Sequence, residues 1–110
     1  MNVKFRIWNK DKKIYFMSNT TIGINNNNKD IWGAVELFTG LKDKKGKEIF
    51  KGDILKIESD KPMVVGWSER FASFILTRDG WAFSHWFGES CDPSDCEVIG
   101  NKNENLELLS

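Results

Sequence analysis

The chain has 110 residues, 40% of them hydrophobic and 13% aromatic, which is the length of one domain and enough apolar material for one core without metal or disulfide support. Its 16 basic and 16 acidic residues give a formal net charge of +0, which excludes the broad positive excess of a nonspecific duplex binder and leaves only a local patch for nucleic acid. No apolar run approaches the roughly 20 residues that span a bilayer, so no membrane partner is expected.

The first segment reads as a strand, with Val3, Phe5 and Ile7 on one face and Lys4, Arg6 and Trp8 on the other. That alternation lacks the apolar block of a signal peptide, so a cytoplasmic location is expected, with Cys91 and Cys96 as reduced thiols. Asn9 to Lys12 has turn composition, and Ile14 to Met17 reads as the second strand of a hairpin. The tract Asn25 to Asn28 is polar and aperiodic, a loop tip. Ile31 to Phe38 reads as strand rather than helix because of Gly33 and the β-formers around it, and Thr39-Gly40 is expected to break it.

Asp43 to Gly46 carries turn chemistry, and Lys51-Gly52-Asp53 is a second tight turn. Ile54 to Glu58 then places Leu55 and Ile57 inward and Lys56 and Glu58 outward. Met63 to Trp67 and Ala72 to Thr77 are strands, and Arg78-Asp79-Gly80 leads into Trp81 to Phe87, the Asp-Gly pair being a strong hairpin signal. A short helical turn is possible after Pro93. Glu97 to Gly100 is a last strand, and Glu104 to Leu109 can form one turn that packs leucine on the core.

Short strands joined by tight turns predict a mostly β fold, a small SH3-like partly open barrel over residues 40–110 with an N-terminal β-hairpin extension over 1–39, together one domain. Catalytic chemistry finds little material. His85, Cys91 and Cys96 have the spacing His-x5-Cys-x4-Cys, which lacks the two close ligand pairs usual in structural zinc. No Gly-x-Ser-x-Gly elbow or phosphate-binding glycine loop is present. No catalytic residue, metal or cofactor is therefore expected.

Two sets of residues suit a partner. Lys42, Lys44, Lys45 and Lys47 form a basic turn offset by Asp43, able to meet phosphates but equally a solvated turn. Trp67, Arg70, Trp81 and Trp86 combine aromatics with a cation, the residue types of interface hot spots and of stacking platforms, although most large aromatics in a small barrel fill its core. Trp8 and Trp32, on the more polar sides of their strands, suit lids or an oligomer contact.

Three stretches together resemble the YopX-like family of phage and prophage proteins. They are Lys4-Phe5-Arg6-Ile7-Trp8-Asn9, the central run from Phe38-Thr39-Gly40-Leu41-Lys42-Asp43 through Gly46 to Ile54, and the closing Val98-Ile99-Gly100-Asn101 with Glu104-Asn105 and Glu107-Leu108-Leu109. Asn9 stands where aspartate is usual, Phe38 and Phe50 where tyrosine is common, and Leu106 where proline is expected. The resemblance implies a small β protein with an SH3-like barrel and assigns no catalytic residue. Gly40, Leu41, Asp43, Gly46, Gly52, Asp53, Ile54, Gly100 and Asn101 read as fold-specifying: Gly40, Gly46 and Gly52 for positive φ, the aspartates to accept local N–H groups, Leu41 and Ile54 to plug the barrel, and Gly100-Asn101 to pin the C-terminus to the core. The expected role is a non-catalytic module that binds a protein partner or itself, the latter as a homo-oligomer; a nucleic-acid-binding barrel is the alternative.

Overall fold

The structure is a computed structural model that describes residues 4–17, 31–57, 62–70, 72–77, 85–86 and 93–109. The asparagine tract, the Arg78-Asp79-Gly80 turn, Trp81 and Cys91 lie outside the described residues. The protein is mostly β, and the described residues form nine strands: β1 (Phe5–Asn9), β2 (Ile14–Met17), β3 (Trp32–Lys42), β4 (Glu48–Phe50), β5 (Asp53–Ile57), β6 (Met63–Ser68), β7 (Ser73–Thr77), β8 (His85–Trp86) and β9 (Cys96–Asn101). Single 3-10 turns form at Pro93–Asp95 and Leu106–Leu109, the two places where the sequence allows a helical turn.

The strands make two antiparallel sheets. The N-terminal sheet runs β2-β1-β3-β4, and the second, a half-barrel, runs β8-β7-β6-β5-β9. The predicted hairpin is present, with Trp8 opposite Tyr15 and Ile7 opposite Phe16. The predicted break at Thr39-Gly40 is not: β3 continues to Lys42, pairing first with β1 and then with β4. Gly40 is held at φ 85° where the register between β3 and β4 shifts. A bulge of this kind needs the left-handed conformation that glycine adopts without strain. Thr39 closes it, its hydroxyl donating to the Ile49 carbonyl at 2.8 Å and accepting from the Leu41 N–H at 3.1 Å. Pairing with β3 also makes Glu48–Phe50 a strand where the sequence shows only the end of a turn.

The half-barrel closes over a core of Ile49, Leu55, Met63, Val65, Leu76 and Cys96, with Leu41, Ile57, Phe74 and Val98 packed against it. Ile54 is also fully buried, outside that cluster. Burial of each such side chain stabilises the fold by about 1.5–3 kcal/mol.

Asp43 ties the basic turn to this core. Its Oδ1 accepts the Lys45 and Lys47 N–H groups, each at 2.9 Å, and its Oδ2 accepts the Val98 N–H of β9 at 2.9 Å. Burial alone would raise the Asp43 pKa, but the three donors outweigh it and hold the carboxyl below its ordinary value. A depressed carboxylate stabilises above its unfolded pKa, near about 4, and that contribution disappears as pH falls through the lowered value. Asp43→Asn should therefore cost about 1–3 kcal/mol at neutral pH, by loss of a charged acceptor from a buried site. The gap between variant and parent should close in acid, as read by urea unfolding at several pH values.

Candidate functional site

The polar centre of the molecule lies between the two sheets. Arg6 of β1 stands opposite Glu36 of β3, and alternation along both strands turns them toward the half-barrel. Arg6 Nε donates to Glu36 Oε1 at 2.8 Å, and Nη2 donates to Asp53 Oδ1 at 2.7 Å and to the Lys51 carbonyl at 3.4 Å. The guanidinium lies 4.1 Å from the Tyr15 ring centroid and 4.8 Å from that of Phe50. Asp53 Oδ2 accepts the Phe50 N–H at 2.8 Å, so both carboxylate oxygens are used. Burial disfavours the Arg6 charge, but Asp53 and Glu36 outweigh it and raise its pKa further.

The C-terminal segment closes the cluster. Asn103 Nδ2 donates to the Tyr15 hydroxyl at 2.8 Å and to Glu36 Oε2 at 3.2 Å. Asn101 Oδ1 accepts the N–H groups of Asn103 and Glu104, and the Lys102 N–H reaches the Gly52 carbonyl at 2.9 Å. Gly52, at φ 91°, leaves room for Glu36: a Cβ there would sit 2.9 Å from the Glu36 carboxyl carbon. Gly100 similarly makes room for Asn105, whose Oδ1 also accepts the Asn101 N–H.

Chemically, this cluster holds the fold rather than a substrate. Arg6, Glu36 and Asp53 are buried, at 8%, 4% and 2% exposure, and bonded to one another. Burial raises the Tyr15 pKa, with Arg6 opposing, so its phenol stays protonated at neutral pH. Among the described residues no group of three His, Cys, Asp or Glu is placed to hold a metal ion. Cys96 is fully buried in the core.

The partner-binding candidates do not converge on this centre. Lys44 and Lys45 turn to Glu97, at 3.9 and 2.6 Å, while Lys42 and Lys47 are exposed. Trp67 is 41% exposed at the end of β6, its ring meeting Phe74 edge-on at 5.0 Å, and Arg70 lies in the exposed turn that follows. Trp86 pairs with Ile75 at backbone level in β8. Trp8 is buried against Tyr15, and Trp32 is half-buried against Phe16.

The surface that sequence reasoning missed is the other side of the N-terminal sheet. With Arg6, Trp8 and Glu36 turned inward, Phe5, Ile7, Ile14, Phe16, Val35 and Leu37 share the outer face, where Ile7, opposite Phe16 and Val35, is buried at 5% exposure. Ile14, Val35 and Leu37 are 47%, 49% and 40% exposed. The alternation of Phe5 and Ile7 with Arg6 is legible in the sequence; that their face points away from the barrel depends on where Arg6 finds its partners.

The fold and the buried ion cluster define a small all-β domain of two antiparallel sheets that share a core and are bridged by a buried arginine. The chain belongs to the YopX protein family, whose model matches residues 20–110. It is similar to the crystal structure of protein EF1440 from Enterococcus faecalis, with a TM-score of 0.67 and 23% sequence identity over 100% of this chain and 99% of that chain. That likeness is one of fold. No curated protein matches the chain.

Removing one member of a buried ion cluster leaves the others uncompensated. Arg6→Ala should lower stability by about 3–5 kcal/mol, whereas Lys4→Ala, which breaks the exposed Lys4–Glu48 pair, should cost less than about 1 kcal/mol. Denaturant unfolding of both variants measures the difference. Equal effects would show that the inter-sheet cluster is not a main support.

Proposed function

We propose that the protein is a non-catalytic interaction module that receives a protein partner on the outer face of its N-terminal sheet. The observation that carries this reading is the exposure of Val35 and Leu37, next-but-one neighbours on the outer side of β3, at 49% and 40%. Contiguous exposed apolar side chains on a folded domain mark interaction surfaces more often than single ones do. The polar cluster supports the non-catalytic reading, since its carboxylates already have partners within the fold. The resemblance of the sequence motifs to phage and prophage proteins suggests that the module works in the cytoplasm of a bacterial host.

Nucleic-acid binding through the basic turn is the weaker reading. Glu97 draws Lys44 and Lys45, and the chain carries no net positive charge.

A photoreactive residue placed at position 35, and another at position 45, tests the two surfaces in bacterial lysate. The outer-face probe should crosslink to a discrete protein, and the turn probe should not. Crosslinks confined to position 45, or made there to nucleic acid, would reverse the assignment.

A further inference from the structure

We infer that residues 102–109 form a strap that opens as one unit ahead of the two sheets, with Asn103 as its latch, and that its opening admits water to the Arg6 cluster.

Cooperativity follows from the way the segment is bonded. Asn101 Oδ1 accepts the N–H groups of Asn103 and Glu104, at 3.0 and 2.9 Å. Asn105 folds back on the same residue: its N–H donates to the Asn101 carbonyl at 2.8 Å, and its Oδ1 accepts the Asn101 N–H at 3.2 Å. The Leu108 N–H then donates to the Asn105 carbonyl at 2.9 Å. Each bond positions the acceptor of the next, so they are lost together. Gly100 permits the fold-back, since a Cβ there would lie 2.6 Å from Asn105 Oδ1.

Burial places the opening early. No residue from 102 to 109 is buried: Asn103 is exposed, Leu106 is 63% exposed, and Leu108 and Leu109 are half-buried. By contrast, β5 buries Asp53, Ile54 and Leu55. Segments with few buried apolar side chains open at a lower free energy than the whole fold. The pairing of β9 with β5 ends at Asn101, opposite Asp53, which makes Asn101 the hinge.

Asn103 ties the strap down. Its amide donates to the Tyr15 hydroxyl of β2 and to Glu36 Oε2 of β3, so one side chain holds two strands of the N-terminal sheet. Glu36 is 4% exposed, and the cluster sets two carboxylates against one guanidinium. A buried surplus of negative charge depends on neutral donors. When the strap lifts, both Asn103 bonds break and water takes their place.

Amide exchange followed by NMR on the whole chain tests the strap. The amides of Asn103, Glu104, Asn105 and Leu108 should exchange at least about 100-fold faster than those of Ile54 and Leu55, and should share one dependence on urea. Asn103→Ala should speed the strap amides by about tenfold and leave those of β5 unchanged. Tyr15 is the single tyrosine of the chain, so its nitration by tetranitromethane reports access at one position. Asn105→Ala loosens the strap without touching Tyr15 and should raise strap exchange and Tyr15 nitration in the same proportion.

Strap amides as protected as those of β5, or strap amides with unequal urea dependences, would overturn the inference. So would nitration that Asn105→Ala leaves unmoved while exchange rises. Equal acceleration of β5 by Asn103→Ala would make Asn103 a general support, not a latch. A strap opened by Leu108→Ala but indifferent to Asn103→Ala would transfer the latch to the leucines and refute the assignment to Asn103.

Discussion

One buried guanidinium, that of Arg6, joins the two sheets. It has Glu36 beside it on its own sheet and Asp53 across the gap on the half-barrel, with the rings of Tyr15 and Phe50 against it. A cation this deep is tolerated because charge, hydrogen bonds and ring contacts together replace its lost hydration. An arginine suits the place better than a lysine would, since a planar fork can serve two carboxylates and a carbonyl at once from a fixed geometry. The ion cluster adds direction to the apolar packing: it fixes which face of β1 turns inward and where β3 crosses the barrel.

The same economy of polar atoms recurs at the chain's other junctions. Asp43 satisfies three backbone N–H groups, two in its own turn and one on β9. Asn101 gathers two from the turn after β9. In each case a short side chain stands in for a strand partner that the irregular backbone does not have. Gly52 and Gly100 serve this arrangement by absence, since each leaves the space occupied by the partner side chain of Glu36 or Asn105. The motif residues that the resemblance quotes, scattered over nearly the whole chain, thus converge on two sheet junctions.

Local chemistry was legible in the sequence; its tertiary extension was not. Gly46 and Gly52 adopt the positive φ their turns require, and Asp43 and Asp53 accept local N–H groups as their positions suggest. The second roles of those aspartates, toward Val98 and Arg6, join residues 55 and 47 positions apart, and no local pattern carries that information. Gly40 reads as a stop because glycine weakens a strand, yet pairing on both sides turns it into a bulge. Arg6 reads as a solvent-facing residue because it alternates with Phe5 and Ile7. Trp8 on the same face was the available hint that the face is covered, and it is buried at 8% exposure.

The alternation of β1 finally explains why an apolar surface is left outside. Period two allows one choice of face for the whole strand, and a slip by one residue exchanges the two sets. If Phe5 and Ile7 faced the half-barrel, Arg6 would point into water, and Asp53 would be left buried without its cation, a loss of several kcal/mol. With Arg6 inward, Phe5 must stand outside beside Val35 and Leu37, where the sheet recovers only part of their transfer free energy. The buried charge outweighs the partial exposure of aliphatics, so the ion cluster and the apolar outer face are two consequences of one register. Polar substitutions at Val35 and Leu37 would relieve that exposure without touching Arg6, because strand neighbours face opposite sides. The cluster therefore fixes which face Val35 and Leu37 occupy without requiring that they be aliphatic.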